Sequence, residues 1–552
     1  MRDGGFSAAC QSARPASQCR PLVILGGAVL SLADLADRHV GAGQAERLAL
    51  RWRGRNGRKR EFTYGELASL SNRLAGHLLA EGLEPGQAVG VMLGRQPETV
   101  IAALAVWKIG GIYCPLFADL GPDLLKARLD VAKIKLLLAG PDAVSKAVSP
   151  LQEEGDFAPG LWSLDQIQSL LERDGPSPVG KADPSRGGLI HFTSGTTAPQ
   201  SDASGQPRAI LHDVNFEGRL VVSAAQALGL AAGDLIWPTS EPGWVVHTAF
   251  GLVAPLAVGA AILLDEPPPT PTRCLTVLED EPIDIWYTTP TIIRGLMGAG
   301  AAVARSIRRP RLRVAASAGE PLSADAVEWG ERALGAPFRD NWWQTETGGV
   351  VLAGDLAHRP QPGCMGRPLP GLKMALVSRT EDDKAEFLPE GAAGIGEMAV
   401  RLEGLAPWKS LGGEAGAPPE DVDGWHYTHD IARRDEEGNY WFIGRADEVI
   451  NLSGRLVGPF EVEAVLMSHP AVAEAGVVGG PDAQGQEHLV AFVGLNPGFD
   501  PVRVLRDELH LFAVEHLVSI LAPEDIRFEL CLPRTSSGKI VRRTLKARIS
   551  EP

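Results

Sequence analysis

The sequence of 552 residues has few cysteines, no excess of basic residues and no recognisable signal peptide. Its six cysteines are scattered, without the close pairs of a metal site or the density of a disulfide framework, which favours a reducing compartment. The formal net charge of −15 argues against a general nucleic-acid-binding protein. The apolar run at 21–32 is too short to cross a bilayer. We therefore expect a cytoplasmic protein without nucleic-acid or membrane partners, in which residues 1–30 are a disordered leader or follow an initiation codon placed too early.

The order of the predicted elements indicates an α/β protein with two domains. A chain of this length exceeds one ordinary core. Between residues 31 and 446 short apolar strands alternate with helices, for example a strand at 88–92 and a helix at 97–108. This alternation predicts βαβ units in a large N-terminal domain of mostly parallel sheets with helices. Residues 447–552 have their own pattern and are predicted to form a small α+β C-terminal domain.

Particular residues predict where several elements begin and end. Thr63-Tyr64-Gly65-Glu66 is a capping box at the start of a helix. Ser323 is expected to cap a helix at 323–334, and a further helix is predicted at 502–520. Short strands are predicted at 372–377 and 397–401. Residues 381–423 are otherwise rich in glycine, proline and acidic side chains, so this region is predicted to be largely loop.

The stretch from 188 to 212 holds a candidate phosphate-binding loop. A short buried strand at 189–192 precedes Thr193-Ser194-Gly195-Thr196-Thr197, in which four hydroxyls surround one glycine. Such a loop can offer N–H and hydroxyl groups to a polyphosphate, and Gly195 lets the backbone approach closely. It is not a Walker A loop, because no Gly-Lys-Ser/Thr follows. The five residues alone are equally typical of a turn rich in serine and threonine.

Two further stretches combine apolar walls with polar groups. Asp340-Asn341-Trp342-Trp343-Gln344-Thr345-Glu346 sets two tryptophans beside a hydroxyl and a carboxylate. Ala318-Gly319-Glu320-Pro321 follows a predicted strand, where a turn suits a ligand crevice. A tryptophan pair is more often part of a core, and such a turn is more often structural only. Each stretch by itself therefore leaves that alternative open.

Two stretches nearer the C-terminus carry acidic and basic side chains. Trp425-His426-Tyr427-Thr428-His429-Asp430 is followed by Gly444-Arg445-Ala446-Asp447-Glu448. An acidic side chain such as Asp430 can accept hydrogen bonds from both hydroxyls of a ribose. Ser536-Ser537-Gly538-Lys539-Ile540 begins a basic C-terminal segment, which in isolation is typical of a solvated face.

Taken together and in this order, these stretches resemble the adenylate-forming enzymes, in particular the acetyl-CoA synthetase branch. When residues 198–204 are left out, the loop reads Thr-Ser-Gly-Thr-Thr-Gly-Gln-Pro-Arg-Ala, which is similar to the family's phosphate loop. Trp-Trp-Gln-Thr-Glu-Thr-Gly-Gly at 342–349 resembles the second signature. Tyr-Thr-Thr-Pro-Thr at 287–291 is a further match, and the resemblance covers about residues 30–548.

The resemblance implies a ligase that uses ATP, Mg²⁺ and coenzyme A. It would activate a short carboxylic acid, acetate first and propionate second, to an acyl-adenylate, and then transfer the acyl group to coenzyme A with release of AMP and pyrophosphate. Lys539, Thr345 and Glu346 would be catalytic, with Thr345 on the α-phosphate and Glu346 on the magnesium ion. The implied ATP and AMP contacts are Thr193, Ser194, Gly195, Thr196, Thr197, Arg208, Gly319, Glu320, Pro321, Asp340, Asn341, Trp342, Gln344, Thr345, Asp430 and Arg445.

The same resemblance implies an acyl pocket and a mobile C-terminal domain. The pocket would be lined by Val245, Val246, Ala318 and Trp343, with the Trp343 indole closing its floor. Residues 447–552 would turn about a hinge at Asp447, and Gly454 would then border the tunnel for coenzyme A. Acetylation of Lys539 would remove the charge that this lysine brings to adenylation.

Several positions depart from the family pattern. An insertion at 198–204 brings Asp202 near the expected phosphates. Arg208 stands where lysine is usual, and His429 where glycine is usual. Ser536 replaces an arginine, and Val514-Glu515-His516 lacks the basic residues of relatives. Two alternatives therefore stay open, namely a nucleotide-binding paralogue with little turnover and an adenylating enzyme with another thiol acceptor. The oligomeric state is left open by the sequence.

Overall fold

The computed structural model describes fourteen segments of the chain. They are residues 31–173, 183–193, 207–214, 216–298, 311–379, 385–405, 408–411, 421–422, 424–452, 455–481, 487–517, 521–523, 525–534 and 540–549. The predicted leader at 1–30 and the insertion at 198–204 lie outside these residues.

The helices of the described residues are numbered in chain order. Their bounds are α1 (Asp37–Gly41), α2 (Tyr64–Ala80), α3 (Pro97–Lys108), α4 (Pro122–Ala132), α5 (Pro141–Ala143), α6 (Ser149–Glu153), α7 (Leu164–Leu171), α8 (Phe216–Leu228), α9 (Val245–Thr248), α10 (Ala254–Val258), α11 (Pro271–Asp280), α12 (Pro290–Gly298), α13 (Ala324–Leu334), α14 (Pro459–Met467), α15 (Arg503–His516) and α16 (Arg542–Ile549). In the part of the chain that is described, none of the helices combines the length and the apolar character that crossing a membrane requires.

The strands are numbered in the same way. Their bounds are β1 (Leu48–Arg53), β2 (Lys59–Thr63), β3 (Ala88–Met92), β4 (Ile112–Pro115), β5 (Ile134–Ala139), β6 (Gly160–Ser163), β7 (Gly188–Phe192), β8 (Ala209–Asp213), β9 (Leu235–Pro238), β10 (Ala261–Asp265), β11 (Ile285–Thr288), β12 (Val314–Ser317), β13 (Phe338–Trp342), β14 (Leu352–Ala353), β15 (Arg367–Pro368), β16 (Met374–Arg379), β17 (Ala385–Phe387), β18 (Gly394–Arg401), β19 (Trp408–Leu411), β20 (Asp421–Val422), β21 (Trp425–Arg434), β22 (Tyr440–Arg445), β23 (Ile450–Leu452), β24 (Arg455–Val457), β25 (Val472–Pro481), β26 (Glu487–Leu495) and β27 (Asp525–Glu529).

A nine-stranded sheet lies at the centre of the N-terminal part. Its order is β15-β14-β13-β12-β11-β9-β10-β1-β2, and the strands from β13 to β1 in that order run parallel. Strands buried on both faces, such as β10 with its sequence Ala-Ile-Leu-Leu-Asp, are typical of parallel sheets that helices cover on both sides. Residues of α8 and α10 contribute to the core on one face, and residues of α11, α12 and α13 to that on the other.

A seven-stranded sheet of order β19-β8-β7-β4-β3-β5-β6 is the second layer. Strands β3 to β7 pair in parallel, as the alternation of strands and helices predicts. The helix predicted at 97–108 is α3 with these bounds, and all its residues are buried. Strand β7 forms an antiparallel pair with β8, with Leu189 opposite His212. The two ends of the phosphate-loop stretch, Thr193 and Arg208, therefore meet at one edge of this sheet.

A six-stranded antiparallel sheet departs from the prediction for residues 381–423. Its order is β17-β16-β18-β21-β20, with β22 also paired to β21. The described residues of this region contribute β17, β18, β19 and β20. The strand predicted at 397–401 is confirmed within β18, whereas the loop prediction is wrong for β17, β19 and β20. Strand β18 pairs with β16 and β21, and this pairing extends the predicted strand back to Gly394 although that part of its sequence contains two glycines.

The C-terminal part has the predicted α+β pattern. Strands β25 and β26 are antiparallel, β27 pairs in parallel with β26, and apolar residues of α14 and α15 cover them. The helix predicted at 502–520 is wrong at its end, because α15 stops at His516 and Leu517 is extended, with φ −120° and ψ 165°. The predicted domain boundary at Asp447 stays a prediction.

The two predicted helix caps have different outcomes. At the start of α2 the Thr63 hydroxyl accepts a hydrogen bond from Glu66 N at 3.2 Å, and the Glu66 carboxylate accepts one from Thr63 N at 2.8 Å, which confirms the capping box. Ser323 occupies the predicted N-cap position of α13. Its side chain makes no capping hydrogen bond, so the prediction is correct for the position and wrong for the hydrogen bond.

Candidate functional site

A cleft of about 2600 Å³ opens at the carboxyl ends of β9, β11, β12 and β13. This is the edge at which open α/β sheets bind ligands. The antiparallel sheet and the C-terminal part supply its other walls. Of the described residues predicted for ATP, acid, metal and hinge, all line the cleft except Ala318, which is buried behind its wall. Ser194, Gly195, Thr196, Thr197, Gly454 and Lys539 lie outside the described residues.

Asp430 is the centre of one wall of the cleft. Its Oδ2 accepts hydrogen bonds from Trp342 Nε1 and Gln344 Nε2, both at 2.9 Å, and its Oδ1 accepts one from Arg445 Nη1 at 2.8 Å. Burial would lower the pKa of the Arg445 guanidinium, but the charge and hydrogen bond of Asp430, together with the charges of Asp447 and Glu346, outweigh it and the pKa is raised. These contacts bring together residues from three separate motifs. The wall therefore holds a carboxylate in a fixed orientation beside a tryptophan ring.

His429, which stands where glycine is usual in the resembled family, has a left-handed backbone beside Asp430. Its backbone has φ 56°, in the left-handed region that glycine adopts most easily. The His429 N–H donates to Glu397 Oε1 at 3.0 Å, and His429 O accepts from Ala446 N at 2.8 Å. Histidine is one of the side chains that tolerate this region. Asp430 lines the cleft next to this strained residue.

We expect His429→Gly to leave the midpoint of urea-induced unfolding nearly unchanged, and His429→Val to lower it. Glycine adopts the φ of 56° freely, although it also gains freedom in the unfolded chain. A β-branched side chain adopts left-handed backbone at a cost of about 1–2 kcal/mol. Equilibrium unfolding of both variants and the wild type measures the difference. A valine variant as stable as the glycine variant would contradict the strain at this position.

Two residues around β8 contact the Thr345–Glu346 turn. His212 Nε2 donates a hydrogen bond to Thr345 O at 2.7 Å. Arg208 Nη2 lies 3.7 Å from Glu346 Oε1, and Arg208 Nε donates to Ser410 Oγ in β19 at 3.3 Å. A cation and a carboxylate thus lie side by side next to the end of the phosphate loop. Sequence reasoning missed His212, although it lies on the same strand as the residues that follow Arg208.

The Gly319-Glu320-Pro321 turn is held by neighbouring helices. Gly319 has φ 93°, and a Cβ there would lie 3.5 Å from the Trp244 ring. The Glu320 carboxylate accepts hydrogen bonds from Thr291 Oγ1 at 2.7 Å and Arg294 Nη2 at 2.6 Å. Glycine therefore suits the positive φ at position 319, and the Glu320 carboxylate is already hydrogen-bonded within the protein.

Asp340 also lines the cleft, where its carboxylate lies beside the end of the Gly319-Glu320-Pro321 turn. Burial raises the pKa of its carboxyl group to about 7, and hydrogen bonds from the backbone N–H groups of Leu322 and Asn341 only partly oppose this rise. A buried carboxylate with so few donors would be stabilised by a further donor from a ligand.

The tryptophan pair divides between two walls. Trp342 bonds to Asp430, whereas Trp343 Nε1 donates to the Tyr287 hydroxyl at 3.2 Å. The Phe250 ring meets both Trp343 and Tyr287 edge-on, at centroid distances of 5.3 and 5.0 Å. Trp343 is 9% exposed, so one edge of its ring reaches the cleft. Sequence reasoning missed Phe250 and the contact of Tyr287, although Tyr287 opens the Tyr-Thr-Thr-Pro-Thr motif.

The predicted hinge region follows β22. Burial raises the pKa of the Asp447 carboxyl group, and the charge of Arg445 partly opposes this. Arg542 at the start of α16 pairs with Glu448 at 3.0 Å and with Glu463 of α14 at 2.8 Å. These ion pairs tie the segment after Asp447 to the C-terminal helices. The hinge itself stays a prediction.

Two protein-family models match the chain, the AMP-binding enzyme over residues 37–407 and the AMP-binding enzyme C-terminal domain over residues 461–539. The acetyl-coenzyme A synthetase of Bacillus subtilis (strain 168) is 33% identical over 530 residues, which cover 93% of this chain and 89% of that protein. The acetyl-coenzyme A synthetase 2 of Pseudomonas putida is 32% identical over 564 residues, with coverages of 94% and 84%.

Solved structures share the fold over both parts of the chain. An anthranilate CoA ligase, AuaEII, in complex with anthranoyl-AMP has a TM-score of 0.81 at 22% identity, covering 94% of this chain and 97% of that one. The acyl-CoA synthetase of Brucella canis has a TM-score of 0.67 at 29% identity and covers 94% of each chain.

Proposed function

We propose that this chain, which belongs to the AMP-binding enzyme family, is an AMP-forming acetate–CoA ligase. In the first half-reaction the acid's carboxylate attacks the α-phosphorus of ATP, so that a C–O–P bond forms and pyrophosphate leaves. In the second, the thiol of coenzyme A attacks the acyl carbon and AMP leaves with the oxygen. The observation that carries the proposal is the joining, in one cleft, of the Asp430–Arg445–Trp342 wall with a pocket floored by Trp343.

The nucleoside of ATP is proposed to lie against the Asp430 wall. Trp342 and the turn around Gly319 would enclose the adenine, and the buried Asp340 carboxylate would accept a hydrogen bond from its amino group. The Asp430 carboxylate would accept the ribose hydroxyls, with Arg445 holding it in place. The raised pKa of Asp340 supports a ligand that supplies a donor.

The phosphates are proposed to lie between the loop after Thr193 and the Thr345–Glu346 turn. His212 fixes the Thr345 backbone, so the Thr345 hydroxyl can be preorganised toward the α-phosphate. Among the described residues no three acidic, histidine or cysteine groups cluster as a metal site. The single Glu346 carboxylate fits a magnesium ion that takes its remaining ligands from phosphate oxygens and water. Such an ion would supply charge compensation for the polyphosphate.

The acid is proposed to lie on the floor formed by Trp343. An indole that contacts Tyr287 and Phe250 leaves little room beyond the first carbons of the acid. Val245 and Val246 at the start of α9 add apolar walls. Acetate is therefore the first substrate, and larger acids are expected to lose activity with each added carbon.

The second half-reaction is proposed to require rotation of the C-terminal part about Asp447. One cleft can then serve two reactions, because Lys539 leaves it and Gly454 arrives beside the thiol of coenzyme A. Acetylation of Lys539 would stop the first half-reaction by removing its charge. The cytoplasm, which supplies both ATP and coenzyme A, is the proposed location.

ATP–pyrophosphate exchange across unbranched C2 to C6 acids tests the proposed function. We expect exchange with acetate, less with propionate and a steep fall beyond it. Adding coenzyme A should then yield the acyl-CoA thioester. ATP binding without exchange for any acid would identify a nucleotide-binding paralogue instead, and exchange without thioester formation would indicate another thiol acceptor.

A further inference from the structure

Strand β13 divides its side chains between two faces of the nine-stranded sheet. In register across the parallel strands, Tyr287 of β11 pairs with Ala316 of β12, and Ala316 pairs with Arg339 of β13. Residues in register share a face, and side chains along a strand alternate. Asn341, two residues after Arg339, therefore lies on the face of Tyr287. Asp340 lies on the opposite face.

The Asn341 side chain is buried without a hydrogen bond of good geometry to any described residue. It is 2% exposed, it lines the cleft, and within the described residues neither its Nδ2 nor its Oδ1 makes a hydrogen bond. Burial raises the pKa of the Tyr287 phenol, and polar contacts of its hydroxyl with the Asn341 amide and the Trp343 indole oppose this rise. The contact with Asn341 falls short of hydrogen-bond geometry, so it places the amide beside the floor of the acyl pocket without satisfying it. An unpaired buried amide costs about 1–3 kcal/mol. A ligand that bonds to it would recover that free energy.

The surroundings of Asn341 favour a neutral polar group on the ligand. The residues proposed for the acyl pocket, Val245, Val246, Ala318 and Trp343, are all uncharged. A hydroxyl group can accept a hydrogen bond from Nδ2 and donate one to Oδ1, so it matches both free atoms of the amide. A methyl group of the same size can do neither.

We propose that Asn341 determines specificity toward short monocarboxylic acids that carry a hydroxyl group. The proposal rests on the proposed function, because it concerns the acid that is adenylated. Acetate remains a substrate. Among acids one heavy atom larger than acetate, the hydroxy acid glycolate is preferred to its methyl isostere propionate. This assignment turns the Asn341 side chain toward the acid rather than toward ATP.

ATP–pyrophosphate exchange with the wild-type protein gives the first test, without any variant. The compared pairs are glycolate with propionate and 3-hydroxypropionate with butyrate, in which a hydroxyl replaces a methyl group. We expect kcat/KM to favour at least one hydroxy acid about tenfold or more, because one satisfied buried hydrogen-bonding group is worth about that ratio. A preference for the methyl compound in both pairs would overturn the inference.

Asn341→Leu supplies the second test. Leucine has a similar shape and offers no hydrogen bond, so the ratio of hydroxy acid to methyl acid should fall at least about tenfold and reverse, while the KM for ATP stays unchanged. Exchange with propionate shows that the variant is folded, and Asn341→Ala is used if it is not. An unchanged ratio would mean that the amide holds water only and would overturn the inference. If the wild-type protein showed no acetate-dependent exchange, the proposed function itself would be refuted instead.

Discussion

Lys539→Ala is expected to abolish acetate-dependent pyrophosphate exchange, while the variant should still form acetyl-CoA when acetyl-adenylate and coenzyme A are supplied. Attack of a carboxylate on ATP gathers negative charge around the α-phosphorus, and this charge needs a positive partner. In the cleft, Arg208 lies beside Glu346 and Arg445 is bonded to Asp430, so both cations are partly neutralised already. We therefore expect Lys539 to provide a positive charge that these two arginines do not.

The size of the effect separates the two half-reactions. Loss of one preorganised charge or donor lowers such a rate by at least about 10²-fold. Lys539→Gln, which mimics acetylation, should behave like the alanine variant, whereas Lys539→Arg should keep more exchange because it keeps the charge. Exchange is followed with labelled pyrophosphate, and transfer by thioester formation. Equal losses in both half-reactions, or none in either, would contradict the proposed role.

Trp343→Gly shifts the preferred acid to one longer by several carbons. The indole is held by its bond to Tyr287 and by the edge of Phe250, so its removal leaves a cavity at the end of the acyl pocket. Each methylene that enters such a cavity contributes about 0.8 kcal/mol, or about fourfold in kcat/KM. Three or four extra carbons should therefore reverse the order of acetate and pentanoate or hexanoate. The chain-length profile of kcat/KM measures this shift.

Tyr287→Phe is the matched control for the tryptophan. It removes the hydroxyl that accepts from Trp343 Nε1 but keeps the ring and the indole, so the chain-length profile should stay that of the wild type. A core tryptophan replaced by glycine costs stability, of the order of 3–5 kcal/mol for such large truncations. Residual exchange with any acid shows that the glycine variant is folded. A folded glycine variant with an unchanged profile would contradict the floor assigned to Trp343.

Local patterns predicted much of the N-terminal fold. The capping box at Thr63 and the proline at the start of α3 are signals carried by neighbouring residues, and both elements are present with those starts. The strand predicted at 397–401 is present within β18, but β17, β19 and β20 were missed because their sequences resemble loops, and only pairing with β16, β8 and β21 makes them strands. The end of α15 was missed for a similar reason, since apolar residues continue past His516.

The contacts within the site were less predictable than its members. The motifs brought Trp342, Asp430 and Arg445 to attention separately, but the hydrogen bonds that join them link residues up to 88 positions apart. The bond from His212 to Thr345 spans 133 positions and depends on how two sheets meet. The unpaired amide of Asn341 could not be read from the sequence at all, because it depends on the register of β13 beside β12.

The most direct test of the proposed function is an assay of the wild-type protein with acetate, ATP, Mg²⁺ and coenzyme A, in which every product is quantified. We predict acetyl-CoA, AMP and pyrophosphate in equal amounts, together with acetate-dependent pyrophosphate exchange when coenzyme A is left out. ATP that is bound but not converted to AMP in the presence of acetate, or that is converted to ADP, would contradict the assignment.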